Sequence, residues 1–408
     1  MIKILHTADV HLDSPLKTLA LRDAELREKV RTATRGAFAR IVETALAEDV
    51  AALLIAGDLF DGAQRSAHTA AWLTAQFDRL RSAGVRVFYV KGNHDAENPL
   101  TGELDLPDNV HVFDGRGGKA RLAEGVWIHG VSFAGRHAKG SLVPKFPAPV
   151  EGAINIGLLH TSLAGAKGHD PYAPCQVAEL KAHGYDYWAL GHVHRRKVHA
   201  REPWIVMPGM PQGRDMGEAG AKSATLITIG EGMTVSEIPT SVLEFREIRL
   251  TAPDFADELR DGLREKLRKV AEDLACDLGV VRLVLEGESA LYWPVLRDLD
   301  VWRRTAAELA RETGRLWLEK FECALSAPAG AKKGASATDE LARIVAQIRK
   351  EAGFAQIRGA RLRELLAEIP AARRAGLAPD EAALEELGDM LARKGAERVI
   401  ARLKKGAA

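Results

Sequence analysis

Cysteine is scarce: Cys175, Cys276 and Cys323 stand far apart in 408 residues, and none is in CxxC spacing. That excludes a disulfide framework and a zinc ribbon, and it fits a reducing, cytoplasmic setting. Long apolar runs are missing as well. None approaches the roughly 20 residues that span a bilayer, so no membrane association is expected. The opening MIKILHTADVHLD breaks its apolar stretch at His6 and Asp9, so no signal peptide is expected. There is no GxxxxGK[ST] and hence no P-loop ATP site, and no solenoid repeat. An excess of either charge is also absent. The 57 basic and 56 acidic residues leave a net charge of +1, and no long segment has the basic balance that announces a DNA surface. If the protein handles phosphates, part of the positive charge must come from elsewhere.

What is present is a globular composition, 46% hydrophobic and 28% charged. At about 150 residues per domain, two or three domains are expected. Ile2, Ile4 and Leu5 read as a buried strand that leads into Asp9, His11 and Asp13. Phe38, Ile41, Val42, Ala45 and Leu46 fall at helical spacing. AALLIAGDLFD and VRVFYVKGNHD are apolar runs ending in polar residues, with a helical pattern through Trp72, Leu73, Phe77 and Leu80 between them. Strands alternating with helices predict an α/β core, whose ligand sites gather at the carboxyl ends of the strands. Short strands are then predicted at 110–113, 125–130, 154–160, 187–191, 204–207 and 224–229, which points to a second sheet. The predicted fold class is a four-layer α-β-β-α sandwich over residues 1–245. A small α+β unit over 246–325 follows, then a linker over 326–338 in the small-residue run SAPAGAKKGASATD. Residues 339–408 carry three amphipathic helical stripes.

Five polar clusters follow predicted strands: Asp9-Val10-His11, Gly57-Asp58-Leu59-Phe60-Asp61, Gly92-Asn93-His94-Asp95, Leu159-His160-Thr161 and Gly191-His192-Val193-His194. Taken singly, each has an ordinary explanation: GNHD is a turn, and a lone His is a hydrogen-bonded core residue. Together they supply carboxylate, imidazole and one amide with no thiolate, an inventory suited to Mn, Fe or Zn rather than Ca or Mg. If one Asp bridges, the set is large enough for two ions about 3.5–4 Å apart, which can clamp a phosphate and supply the missing positive charge.

In that order the motifs D-x-H, GDxxD, GNHD, a later His and GHxH resemble the calcineurin-like metallophosphoesterases across roughly residues 1–215. HTADVHLDSP, GDLFD and PGMPQGR make the chain similar to the DNA-repair nuclease branch, the SbcD-like and in particular the YhaO-type bacterial proteins. Met210 departs from the Asn or Ser usual there. The resemblance implies that Asp9, His11, Asp58 and His194 hold one metal. It implies that Asp58, Asn93, His160 and His192 hold the other, with manganese the expected cofactor. His94 would act on the leaving oxygen or the transferring phosphoryl group, and Asp61 would orient His94. The simpler reading of Asp61 is a helix cap before Gln64 and Ser66. Arg214 reads equally as a phosphate contact or a structural salt bridge. Asp13 and Ser14 read as supports for His11 or as caps. His6, His111, His129, His137, His169 and His199 read as structural or exposed. Gly115, Gly117 and Gly118 of DGRGGK read as a hairpin turn rather than a phosphate loop. Trp72, Trp188, Trp293, Trp302 and Trp317 read as core.

The implied activity is a two-metal phosphodiesterase acting on DNA, a nuclease of repair or recombination. The alternatives are a small-molecule phosphoesterase, since one such site serves many substrates, and a non-catalytic scaffold. The 246–325 unit matches the place of a DNA-capping domain in the family. The tail is expected to bind a coiled-coil, SMC-like ATPase in trans, which fits the missing P-loop. Packing of the tail back on 246–325, or self-association into a homodimer, is the competing use.

Overall fold

The computed structural model describes every residue except 15–23, 62–65, 98–104, 136, 137, 139, 164–171, 329–336 and 405–408. His137, His169, Gln64 and most of the expected linker therefore lie outside the described residues. Contacts divide the chain into two units. The first comprises Met1–Glu247, Ala271–Val281 and Arg315–Glu319, and the second Ile248–Val270, Arg282–Gly314 and Lys320–Ala408.

The first unit is built on two six-stranded sheets. One contains β1 (Ile2–Thr7), β2 (Ala52–Ala56), β3 (Arg86–Val90), β4 (Val110–Val112), β11 (Ser223–Ile229) and β12 (Met233–Pro239), in the order β12-β11-β1-β2-β3-β4. The other contains β5 (Gly118–Ala123), β6 (Val126–Val131), β7 (Ile154–His160), β8 (Tyr187–Gly191), β9 (Lys197–Arg201) and β10 (Trp204–Met207), in the order β5-β6-β7-β8-β10-β9. β1, β2, β3 and β4 run parallel, as do β6, β7, β8 and β10.

Alternation along each strand separates the layers. Leu5, Leu53, Ile55 and Val87 face α2 (Ala33–Ala47) and α3 (Ala67–Ser82), where they meet Phe38, Ile41, Leu73 and Phe77. Ile4, Leu54, Phe88 and Val90 face the other way and meet Ile128, Ile156, Leu158 and Val206 between the sheets. On the far side, Leu159, Trp188, Leu190 and Met207 pack under Leu180 of α5 (Val177–Ala182) and Phe146. This is the four-layer sandwich. Before α2 runs α1 (Ala24–Arg31), whose Leu26 and Val30 pack with Phe245 and Val280. A third sheet orders as β13 (Leu243–Thr251), β14 (Leu278–Glu288) and β15 (Leu316–Ser326).

The helices after the sandwich are α6 (Ala256–Glu272), α7 (Tyr292–Arg297), α8 (Leu299–Glu312), α9 (Ala337–Ile348), α10 (Ala352–Ala367), α11 (Ala371–Leu377) and α12 (Glu381–Leu403). The three stripes expected of the tail thus become four helices, because Pro370 stops α10 and stands as the cap of α11. Leu362 and Leu366 of α10 pack against Leu384 of α12. α12 also lies against α7. Lys404 Nζ sits 5.0 Å from the Trp293 ring centroid, and Arg398 is 3.9 Å from Asp300. No helix among the described residues is long and apolar enough to cross a membrane.

Candidate metal centre

All five polar clusters sit where strands end: after β1, β2 and β3 in one sheet, and at the ends of β7 and β8 in the other. Two close backbone approaches bring the ends together. A Cβ on Gly191 would lie 1.9 Å from the Ala56 carbonyl oxygen, so only glycine lets β8 reach β2 there. A Cβ on Gly92 would lie 2.2 Å from Asp58 Oδ1. The loops after β1 and β2 continue in step beyond the sheet: the Asp9 N–H donates to the Gly57 carbonyl and the His11 N–H to the Asp58 carbonyl, both at 3.0 Å. Asp9, His11, Asp13, Asp58 and His192 all have positive φ, between 45° and 103°. Asp and His visit this region more readily than most residues, but each visit costs on the order of 1 kcal/mol or more. Such a concentration of strain at one edge marks it as built for a purpose other than stability.

The side chains converge in two groups, and His94 joins His11 and Asp58 in a third, overlapping one. In the first, Asp9, His11 and His194 offer atoms within 4.8 Å of one another. His11 Nε2 and His194 Nε2 face each other at 3.2 Å. Behind them, His11 Nδ1 lies 3.5 Å from Asp61 and His194 Nδ1 lies 2.7 Å from Glu218. A carboxylate behind each ring favours the proton on Nδ1. Both Nε2 lone pairs then point at one spot, an arrangement that a cation relieves. In the second group, Asp58, His160 and His192 converge. His160 Nε2 is 3.0 Å from Asn93 Oδ1, 3.3 Å from His192 Nδ1 and 3.4 Å from Asp58 Oδ2. His160 Nδ1 donates to the Ala56 carbonyl at 3.0 Å, which turns Nε2 toward the others. Asp58 is also 3.9 Å from His11 Nε2, so it stands between the groups. The mixed nitrogen and oxygen donors fit divalent transition-metal ions.

The electrostatics agree. Burial pushes the Asp9 carboxyl up to about 6 and the His11 imidazole down to about 4. Burial also pushes Asp58 up, but the nearby His160 and His11 imidazoles more than reverse this and hold it well below the usual carboxylate range. The same pairing lifts His160 to about 9 against its burial.

His94 lies at the rim of the buried donors, with a ring nitrogen within 4.8 Å of atoms of His11 and Asp58. Its side chain is 38% exposed, against 1% for His11 and 0% for His160, so it can meet a substrate from solvent. Its N–H donates to Asp58 Oδ1 at 2.9 Å, and its Nδ1 lies 3.7 Å from Asp61. Asp61 therefore stands between the rings of His94 and His11. It does not cap α3, whose N-cap is Ser66, with its side chain accepting from the Thr69 N–H.

Two supports, Glu218 and Asp95, were not read from the sequence. Glu218 backs His194, and Arg214 grips Glu218 through Nη2 at 2.8 Å, Nε at 3.2 Å and its own N–H at 2.8 Å. Burial raises the Glu218 carboxyl, but His194 and Arg214 together hold it well below its usual range. The i, i+4 spacing of Arg214 and Glu218 was the available signal. Asp95 is buried and accepts from the Phe60 N–H at 3.0 Å and the Gly92 N–H at 2.9 Å, fastening the loop after β2 to the start of α4 (Asn93–Glu97). Asp13 does not reach His11: Arg35 grips it bidentately, with contacts of 2.6 Å and 2.5 Å. His6 and His129 are buried core histidines, bonded to Tyr187 and Leu190 and to Asn155 respectively.

The strand ends thus gather two aspartates, four histidines and an asparagine at one edge of the two-sheet sandwich. Residues 2–196 match the calcineurin-like phosphoesterase family and residues 245–326 match the middle domain of the metallophosphoesterase YhaO. The chain carries a calcineurin-like metallophosphoesterase domain with homology to YhaO and to Mre11-type nucleases. It is 34% identical over 237 residues to the uncharacterized metallophosphoesterase YhaO of Bacillus subtilis, covering 57% of this chain and 58% of that protein. It is 25% identical over 321 residues to the DNA double-strand break repair protein Mre11 of Sulfurisphaera tokodaii, covering 73% of this chain and 77% of that protein. Among solved structures, a dimetal phosphatase from Danio rerio aligns at 12% identity and a TM-score of 0.39, over 59% of this chain and 98% of that one.

Proposed function

We propose that this protein is a two-metal phosphodiesterase that hydrolyses DNA, a nuclease of repair or recombination. The observation that carries the reading is the convergence of seven donors from five strand ends, with His11 Nε2 and His194 Nε2 facing each other at 3.2 Å. In this reading Asp9, His11, Asp58 and His194 hold one ion. Asp58, Asn93, His160 and His192 hold the second, and Asp58 is shared. The ions, manganese in the proposed enzyme, would supply Lewis acidity toward the phosphate and toward water.

The chain's own groups do the rest. His94, exposed beside the donors, gives a proton to the departing oxygen or a hydrogen bond to the phosphoryl group. Asp61, 3.7 Å from His94 Nδ1, orients its ring. Asn93 ligates through a neutral carbonyl, which limits the negative charge that would repel a phosphate.

DNA as substrate is supported by the homology with Mre11 and by the YhaO-type middle domain at 245–326, which a small-substrate enzyme has no need of. We assign a coiled-coil, SMC-like ATPase as the partner in trans. That assignment rests on the family resemblance and on the absence of a P-loop from this sequence. The experiment is a comparison in Mn²⁺ of a linear DNA duplex with bis-p-nitrophenyl phosphate. Degradation of the duplex is expected, and hydrolysis of the small ester alone would make the protein a small-molecule phosphoesterase instead.

A further inference from the structure

The two halves of the centre are backed differently. In the half that contains Asn93 and His160, the second nitrogen of His160 donates to a neutral backbone carbonyl, that of Ala56. In the other half, carboxylates stand behind both rings: Asp61 behind His11 at 3.5 Å and Glu218 behind His194 at 2.7 Å. Glu218 is itself fixed. Arg214 holds both of its oxygens, Oε1 through Nη2 at 2.8 Å and Oε2 through Nε at 3.2 Å and the backbone N–H at 2.8 Å. The same guanidinium reaches to 4.0 Å from Asp61, so one arginine ties together the carboxylates behind both histidines.

A carboxylate gripped this way has no proton to give. His194 Nδ1 faces Glu218 Oε1 at 2.7 Å and Arg214 Nη2 at 3.3 Å; the shorter contact, to a carboxylate that can only accept, sets the proton on Nδ1 and leaves the Nε2 lone pair facing inward. An anionic partner also makes the ring a stronger ligand.

We infer that Glu218, held by Arg214, is a positioning residue for His194. It sets the tautomer and orientation of that imidazole, and with them the affinity of the ion bound by Asp9, His11 and His194, while leaving the Asn93–His160–His192 half unaffected. This assigns Arg214 to the support of the centre rather than to a phosphate, and it rests on the reading of His194 as a ligand. A purely structural Glu218 would pin the turn after β10 without discriminating between the two ions.

The test is calorimetric titration of Mn²⁺ into the full-length, chelator-stripped protein, with the melting of the metal-free chain as a control. Wild type is expected to take two ions. Glu218→Ala should weaken one of them by about 10- to 100-fold, the usual scale for removing such a partner, and leave the other unchanged. Glu218→Gln keeps the shape and an acceptor oxygen and should lose less. In an Asn93→Ala background, Glu218→Ala should still weaken the remaining ion. In a His194→Ala background it should add nothing, because its effect passes through that ring. Wild-type affinity for both ions in Glu218→Ala and Glu218→Gln, or equal weakening of both, would overturn the inference. If Glu218→Ala does not fold, Glu218→Gln decides: selective weakening of one ion supports the inference, and two wild-type affinities overturn it. A wild-type protein that takes up no Mn²⁺ would instead sink the metal-centre reading beneath it.

Discussion

His94 and Asp58 are neighbours bonded through a backbone N–H, yet they are expected to fail differently when replaced. His94 is half-exposed at the rim of the donors, beside His11 and Asp58. His94→Asn should therefore retain both ions and DNA affinity while losing about 10²- to 10⁴-fold in cleavage rate, the range for a positioned proton donor. Metal content and single-turnover cleavage measure the two sides, and loss of metal would mean His94 is a ligand. A buried histidine away from the centre sets a pH dependence of stability. Burial pushes His6 down to about 3, with Nε2 donating to the Leu190 carbonyl and Nδ1 facing the Tyr187 hydroxyl. An unfolded His titrates near 6.5. The unfolded chain thus binds the extra proton first as pH falls, so stability is complete above about pH 6.5. It declines between there and about 3, by up to about 1.4 kcal/mol per pH unit from this group alone. His6→Gln can keep both hydrogen bonds without titrating. Chemical denaturation at pH 7 and pH 5.5 should show a smaller acid loss in that variant than in wild type.

Among the elements, the strand ends were legible and three of the sheet edges were not. The runs that became β1, β2, β3, β7 and β8 are apolar on both faces because both faces are covered, and each stops at its polar cluster. β5, β9 and β12 escaped notice. All three are edge strands, and GKARLA, KVHAR and MTVSEIP carry exposed or half-exposed side chains instead of an apolar run. The donors were readable because their motifs are contiguous. Glu218 was not, because its partner His194 is distant in sequence and only folding shows which acid stands behind which ring. Glycine carries the approach of the elements. Gly57 has φ +92°, and a Cβ there would lie 2.3 Å from His160 Nδ1. Gly57→Ala should cost about 1–3 kcal/mol through backbone strain and displace His160. A lowered denaturation midpoint together with weakened Mn²⁺ binding is expected, and unchanged binding would show that the ring is not held by this contact.

For the whole molecule, every residue of the centre lies in the first unit, and the tail helices α9 to α12 lie in the second. Removal of residues 339–408 should therefore spare Mn²⁺-dependent cleavage of a short substrate while abolishing co-purification with the ATPase. α12 lies against α7, so the truncated chain is also expected to lose stability in the second unit. Loss of the intrinsic activity would place the tail within the enzyme's own fold and remove the case for a partner-binding role. The central claim, that two ions sharing Asp58 hydrolyse DNA, is tested most directly by Mn²⁺-dependent degradation of a linear duplex by the full chain, with Asp58→Ala in parallel and bound metal counted in both. The account predicts about two ions per chain and cleavage in the wild type, with loss of metal and of cleavage in Asp58→Ala. Undiminished cleavage by Asp58→Ala in Mn²⁺ would contradict it.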